Sequence, residues 1–215
     1  MNHSAKFWDR TAESYSQQPI ADEAAYQKKL QVTQEYLKPD MSVLEFGCGT
    51  GGTAIIHAPY VKHIRAIDFS SAMIKIARGK AETQNINNIT FEQLTIEELT
   101  VADETFDVLL GLGILHLLEN KKEVIAKVYK MLKPGGVFVT STACLGDTMK
   151  WFKAIAPIGI FLRLIPLVKV FTSKELENIL SDAGFKIDYH WQPNKSTRKG
   201  VFTLKRVFIV AKKAD

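Results

Sequence analysis

The stretch Val43-Leu44-Glu45-Phe46-Gly47-Cys48-Gly49-Thr50-Gly51-Gly52 decides how this chain is read. Four residues of strand character, with an acid among them, run into a turn built almost wholly of glycine. Glycine reaches backbone conformations closed to other residues and lets the chain approach a ligand closely. A strand that feeds such a turn and then a helix is a frequent cradle for nucleotide-like ligands.

Outward from that stretch, strand and helix patterns alternate. Towards the N-terminus, the first forty residues read as helical. Tyr26, Leu30, Thr33 and Leu37 fall on one helical face, and Pro39-Asp40 ends the segment. Towards the C-terminus come a short helix at 53–59, a strand at 63–67 ending at Asp68, and a helix that Ser71 can cap. Strands follow at 88–94 and 106–112, then a helix at 119–132, a Pro134-Gly135-Gly136 turn and a strand at 137–142. Thr172-Ser173-Lys174-Glu175 has the form of a capping box, and Gly184 is placed to end the helix it opens. The segments 185–191 and 201–211 read as an antiparallel pair. The fold class is therefore α/β: a Rossmann-like, doubly wound, seven-stranded sheet, mostly parallel, with a C-terminal antiparallel strand. In such a sheet the ligand crevice lies at the carboxyl ends of the strands. The glycine turn, Asp68 and the segments after Leu94 and Leu112 all reach that edge.

The 215 residues are read as one domain, with a helical cap over 1–38 and an apolar, lid-like insertion over 147–171. The core of that insertion, Trp151–Phe171, is interrupted by Lys153, Arg163, Lys169, Pro157 and Pro166, which argues against a membrane-spanning helix. A buried lid and a surface that meets a greasy substrate or a membrane face both remain open. The net charge of +5 is spread thinly, without a nucleic-acid-binding pattern. Cys48 and Cys144 form neither a disulfide framework nor a metal-ligand spacing. Together with a polar Met1–Arg10 lacking an apolar signal core, this points to the cytoplasm.

Gly47, Gly49 and Gly52 satisfy G-x-G-x-x-G, and Asp68 follows at about the distance expected of an acid that binds a ribose diol. A dinucleotide-dependent oxidoreductase therefore stays open. Glu45 weighs against it. A carboxylate near the turn and a pyrophosphate charge roughly 5 Å apart, at an effective dielectric of about 20, repel by roughly 3 kcal/mol. A ligand with an ammonium group and no phosphate is attracted instead. S-adenosylmethionine, with adenosine, a sulfonium and an amino-acid tail, is such a ligand.

At these residues the chain resembles the class I S-adenosylmethionine-dependent methyltransferases, in their small-molecule, UbiE-like branch. VLEFGCGTGG resembles the family's first signature, and Asp68-Phe69-Ser70-Ser71-Ala72-Met73 its D-x-S-x-x-M segment. Phe106-Asp107-Val108 through Leu115-His116, Leu132-Lys133-Pro134-Gly135-Gly136 and Phe7-Trp8-Asp9 through Tyr15 match three further segments. The resemblance implies that Gly47, Cys48, Gly49 and Gly51 pass under the methionine moiety, with Glu45 behind them. It implies that Asp68 binds the ribose, that Phe69 and Met73 pack near the adenine, and that Gly111 and Leu112 lie near the methionine end. Tyr15 would close over the cofactor. Thr95 stands where the family often has an acid that holds the adenine, so anchoring would fall to Thr95 and the Ile96 amide. His116 is the candidate general base, because it follows the fourth strand and titrates near neutrality. The resemblance implies a small acceptor, and the insertion suggests a hydrophobic or lipid-like one. A non-catalytic S-adenosylmethionine-binding module at a membrane surface is a further alternative. The sequence carries no signal for oligomeric state.

Overall fold

A computed structural model describes residues 3–147, 168–193 and 205–215. Among these, seven strands form one sheet in the order β3-β2-β1-β4-β5-β7-β6. They are β1 Ser42–Phe46, β2 His63–Asp68, β3 Ile89–Gln93, β4 Phe106–Leu112, β5 Leu132–Ala143, β6 Lys186–Trp191 and β7 Arg206–Lys212. The first five are mutually parallel. Strand β7 runs antiparallel to both β5 and β6 and so lies reversed between two strands of one direction. The helices are α1 His3–Gln17, α2 Glu23–Gln34, α3 Gly52–His57, α4 Ser71–Thr83, α5 Lys121–Met131 and α6 Ser173–Asp182.

The sheet separates two apolar layers. On one side Leu44, Phe46, Leu109 and Phe138 pack with α5 and α6. On the other Val43, Val108, Val139, Phe208 and Val210 pack with residues of α2, α3 and α4. Alternate residues of one strand go to opposite layers, as strand geometry requires. Strand β4 matches its sequence reading end to end, because an unbroken apolar run buried on both faces has no competing pattern.

Several boundaries differ from the sequence reading. The N-terminal segment is two helices, not one: the chain turns between Gln17 and Glu23, where Pro19 lies and Asp22 caps α2 by accepting from the Ala25 amide at 3.0 Å. The cap of α4 is Ser70, not Ser71; its hydroxyl accepts from the Met73 amide at 3.2 Å. The Pro134–Gly136 turn lies inside the β4–β5 ladder. Leu132 pairs with Phe106 and Val137 with Val108, so the residues between them loop out of register, with Gly135 at φ +70. The capping box is present: the Thr172 amide donates to Glu175 at 2.6 Å and the Glu175 amide donates to the Thr172 hydroxyl at 3.1 Å. Gly184, at φ +100, follows α6 as anticipated. Of the apolar insertion, 148–167 lies outside the described residues, as does 201–204 of the last strand reading.

Candidate functional site

The glycine turn joins β1 to α3 at the carboxyl edge of the sheet. Gly47, Gly49 and Gly51 have φ of +67, +54 and +76, which a side chain at any of them would strain. A Cβ at Gly47 would stand 2.8 Å from Ile114, and one at Gly51 2.8 Å from Ala77. Gly52 is different: it opens α3, has no positive φ, and a Cβ there meets nothing. The turn thus demands G-x-G-x-G, and the third glycine of the dehydrogenase spacing has no steric task here.

Asp68, at the end of β2, organises the turn. One carboxylate oxygen accepts from the Gly49 amide at 2.9 Å, the other from the Ser70 amide at 2.9 Å. Each oxygen keeps a second lone pair, enough to accept the hydroxyls of a diol. Burial pushes its pKa up, while these two amides oppose the rise.

Glu45 lies behind the turn, 3% exposed, on the same face of β1 as Val43. Its Oε2 is buried without a hydrogen-bond partner. Burial first, and then the Asp68 charge, push its pKa up to about 8. A buried carboxyl that lacks a partner gains most from a cation brought beside it. Tyr26 of α2 faces Thr53 and Glu45, and Tyr15 of α1 lies within 4.0 Å of where a Gly49 side chain would begin. Cys48 gives its amide to Ile67 O at 3.1 Å, and burial holds its thiol well above the ordinary range, so its part is backbone. A ligand carrying both a diol and an ammonium group fits these acceptors; a pyrophosphate does not.

Beside Asp68 a slot opens between α1 and the segment after β3. It is lined by Trp8, Gly47, Asp68, Phe69, Thr95 and Ile96, among others. Phe69, Thr95 and Ile96 therefore share one cavity with Asp68. The Thr95 hydroxyl is engaged by Glu98: it donates to the carboxylate at 2.9 Å and accepts from the Glu98 amide at 3.2 Å. Met73 does not line the slot; it is buried in the first turn of α4. The Phe7-Trp8-Asp9 segment of α1 contributes Trp8 to the wall and Asp9 behind it. Asp9 of α1 accepts from the Ser70 hydroxyl at 2.6 Å and from the Ala72 amide at 3.2 Å, fastening α1 to the start of α4.

The other half of the edge lies over β4, β5 and β7. Gly111 is buried within β4, where a Cβ would come 2.5 Å from Phe46 and 3.2 Å from Phe138. Its carbonyl accepts from the Thr140 hydroxyl at 2.9 Å, and the absence of a side chain leaves room for the two rings. Leu112 ends β4, half-buried against the layer that holds α2. His116 follows, and its Nδ1 is 3.1 Å from the Thr142 hydroxyl. Burial, and secondarily Arg206, push its pKa down to about 4, so the ring is neutral at physiological pH. Tyr26, Lys29 and Arg206 were not reached by sequence reasoning as site residues, since only tertiary packing brings them here. Among the described residues no cluster of His, Cys, Asp or Glu could hold a metal ion. No helix among them is long and apolar enough to cross a membrane.

Comparison with known proteins places this geometry. The profile of a methyltransferase-domain family matches residues 37–184. An uncharacterized methyltransferase, YcgJ of Bacillus subtilis, is 26% identical over 132 residues, covering 61% of this chain and 52% of the relative. The malonyl-(acyl-carrier protein) O-methyltransferase of Priestia megaterium is 28% identical over 188 residues, covering 85% of this chain and 65% of the relative. The chain thus spans between half and two thirds of the length of these curated relatives. The crystal structure of the cyclase SpnF superposes with a TM-score of 0.78 at 17% identity, covering 98% of this chain and 94% of that one. That likeness concerns the fold alone, and it shows a protein named as a cyclase on the same architecture. With the family profile spanning most of the sheet and the glycine turn inside it, the chain belongs to the class I S-adenosylmethionine-dependent methyltransferase family.

Proposed function

We propose that the protein transfers the methyl group of S-adenosylmethionine to a small, partly hydrophobic acceptor. The observation that carries the reading is the buried, partnerless Glu45 oxygen beside a left-handed glycine turn that Asp68 holds in shape. S-adenosylmethionine supplies an activated methyl group on a sulfonium, to be displaced in line by the acceptor. The protein's task is then mainly to orient. Asp68 would take the ribose hydroxyls, Glu45 would balance the amino-acid end, and Tyr15 and Trp8 would close the slot. Holding two reactants in a near-attack geometry supplies several kcal/mol by itself. That agrees with a site whose histidine, its pKa pushed down to about 4, is a weak base.

The relative from Priestia megaterium, named for a malonyl-acyl-carrier-protein acceptor, supports a small organic acceptor here. Contact with a membrane surface through 151–171 rests on that segment's sequence, and the cytoplasm on the free cysteines. Calorimetric titration of S-adenosylhomocysteine tests the cofactor assignment. Asp68→Ala is expected to weaken binding roughly 10- to 100-fold, the range for a lost hydrogen bond to a charged group. Equal affinity in wild type and variant would sink the reading. Labelled S-adenosylmethionine with a panel of carboxylic acids, quinones, phenols and thiols then identifies the acceptor.

A further inference from the structure

Helix α1 packs along α4, and among the described residues neither apolar layer of the sheet includes a residue of α1. Its sequence presents two neighbouring stripes. Ala5, Asp9 and Ala12 recur at helical spacing, and both alanines are buried. Ser4 and Trp8, on the next stripe, line the slot beside Asp68. Tyr15 stands edge-on to Trp8, with 6.0 Å between ring centres, and lies 4.0 Å from where a Gly49 side chain would begin. Two alanines bury little apolar area, and apolar contact is non-directional. The polar contact between them is what sets the position of α1.

That contact begins a chain of hydrogen bonds that ends in the glycine turn. The Ser70 hydroxyl donates to Asp9 Oδ1 at 2.6 Å, and the Ala72 amide donates to the same oxygen at 3.2 Å. With its hydrogen committed to Asp9, the Ser70 hydroxyl accepts from the Met73 amide at 3.2 Å. The Ser70 amide donates to one oxygen of Asp68, whose other oxygen takes the Gly49 amide, both at 2.9 Å. Ser70 is fully buried, so without Asp9 its hydroxyl hydrogen has no water to turn to. That cost falls on the residue whose amide orients Asp68.

We propose that Asp9 is a positioning residue for the methyl donor, whose identity rests on the methyl-transfer reading above. Asp9 holds Ser70 where the Ser70 amide aims the Asp68 carboxylate at the ribose, and the same contact sets Trp8 and Tyr15 over the site. Asp9 does not line the slot itself, so it acts through Ser70 and through α1. Both of its bonds end on a single oxygen. One carbonyl-type oxygen therefore suffices for the role, and the negative charge is dispensable.

The test is calorimetric titration of the full chain with S-adenosylhomocysteine, in wild type, Asp9→Ala, Asp9→Asn, Ser70→Ala and the Asp9→Ala/Ser70→Ala double variant. The melting temperature of each is measured without ligand. Asp9→Ala is expected to weaken binding about ten-fold. Asp9→Asn, which keeps the accepting oxygen, should return affinity to within about three-fold of wild type. The double variant should bind no more weakly than the weaker single variant, because both substitutions break one connection. A purely structural Asp9 would lower the melting temperature and leave the affinity of the folded protein unchanged. That result, unfolding of Asp9→Ala, an Asp9→Asn as weak as Asp9→Ala, or additive losses in the double variant overturns the proposal. A wild type that does not bind S-adenosylhomocysteine overturns the methyl-transfer reading and the proposal with it. Equal, measurable binding by wild type and Asp9→Ala overturns the proposal alone.

Discussion

The edge over β1 and β2 is acidic and built largely from backbone; the edge over β4, β5 and β7 is basic and built from side chains. On the first, three left-handed glycines lie beside the buried Glu45, and the Gly49 and Ser70 amides donate to Asp68. On the second, His116 follows β4 and stands 3.1 Å from the Thr142 hydroxyl of β5, and Arg206 opens β7 opposite Ala143. The difference separates two tasks. A ligand common to a whole family can be held by main chain, which changes little from sequence to sequence. An acceptor that varies has to be read by side chains, which substitute freely.

The strongest challenge to this contrast is at the turn. Gly51→Val should destabilise the fold by roughly 3–5 kcal/mol, combining left-handed strain with overpacking against Ala77 and Phe91. Gly52→Ala, one residue on, should be neutral or stabilising by up to about 1 kcal/mol. Urea denaturation of the pair decides whether the spacing that matters is G-x-G-x-G. A reversed ranking would return the dehydrogenase spacing to consideration.

Glu45 offers a second test, through pH. Its pKa in the folded chain is about 8, above the ordinary 4.5, because burial disfavours the charged form. Its contribution to stability is therefore fully present below about 4.5 and is lost as pH rises towards 8. The ligand-free protein should lose a few kcal/mol across that window. Glu45→Gln should flatten the slope, and S-adenosylmethionine should offset it in the wild type by pairing the charge. Thermal denaturation across the window, with and without ligand, checks both statements; a slope unchanged in the variant would remove Glu45 as its source.

The smallest effect is expected on the basic side. His116→Gln keeps a partner for Thr142, and a ring whose pKa is pushed down to about 4 is a weak base. Turnover should fall by less than about ten-fold, with no change in the pH profile between about 5 and 8, whereas loss of a true general base costs about 100-fold or more. A loss of that larger size would assign the proton transfer to His116.

How much of this was legible in advance followed the range of the interactions. The β4 run and the Thr172–Glu175 box are local patterns, and both are found where the sequence puts them. Ser70 and Ser71 are adjacent and equally able to cap, so composition alone could not choose; the choice fell to Ser70, which also meets Asp9. The break between α1 and α2 did have a signal, Pro19 followed by the cap Asp22, masked by helical spacing on both sides. The acidic edge was readable because Glu45, the glycines and Asp68 sit within two adjacent strand ends. The basic edge was not, because α2 and β7 lie far apart in the chain and meet only once β7 enters the sheet in reverse.

The Asp9–Ser70 contact has a consequence in time. Helix α1 forms one wall of the slot through Trp8, so ligand exchange through that wall requires α1 to lift. Lifting it breaks the bond to the serine that caps α4 and frees the Ala72 amide. The α1 wall of the slot and the first turn of α4 thus share one fastening, and amide exchange at Ala72 is the clock of its opening.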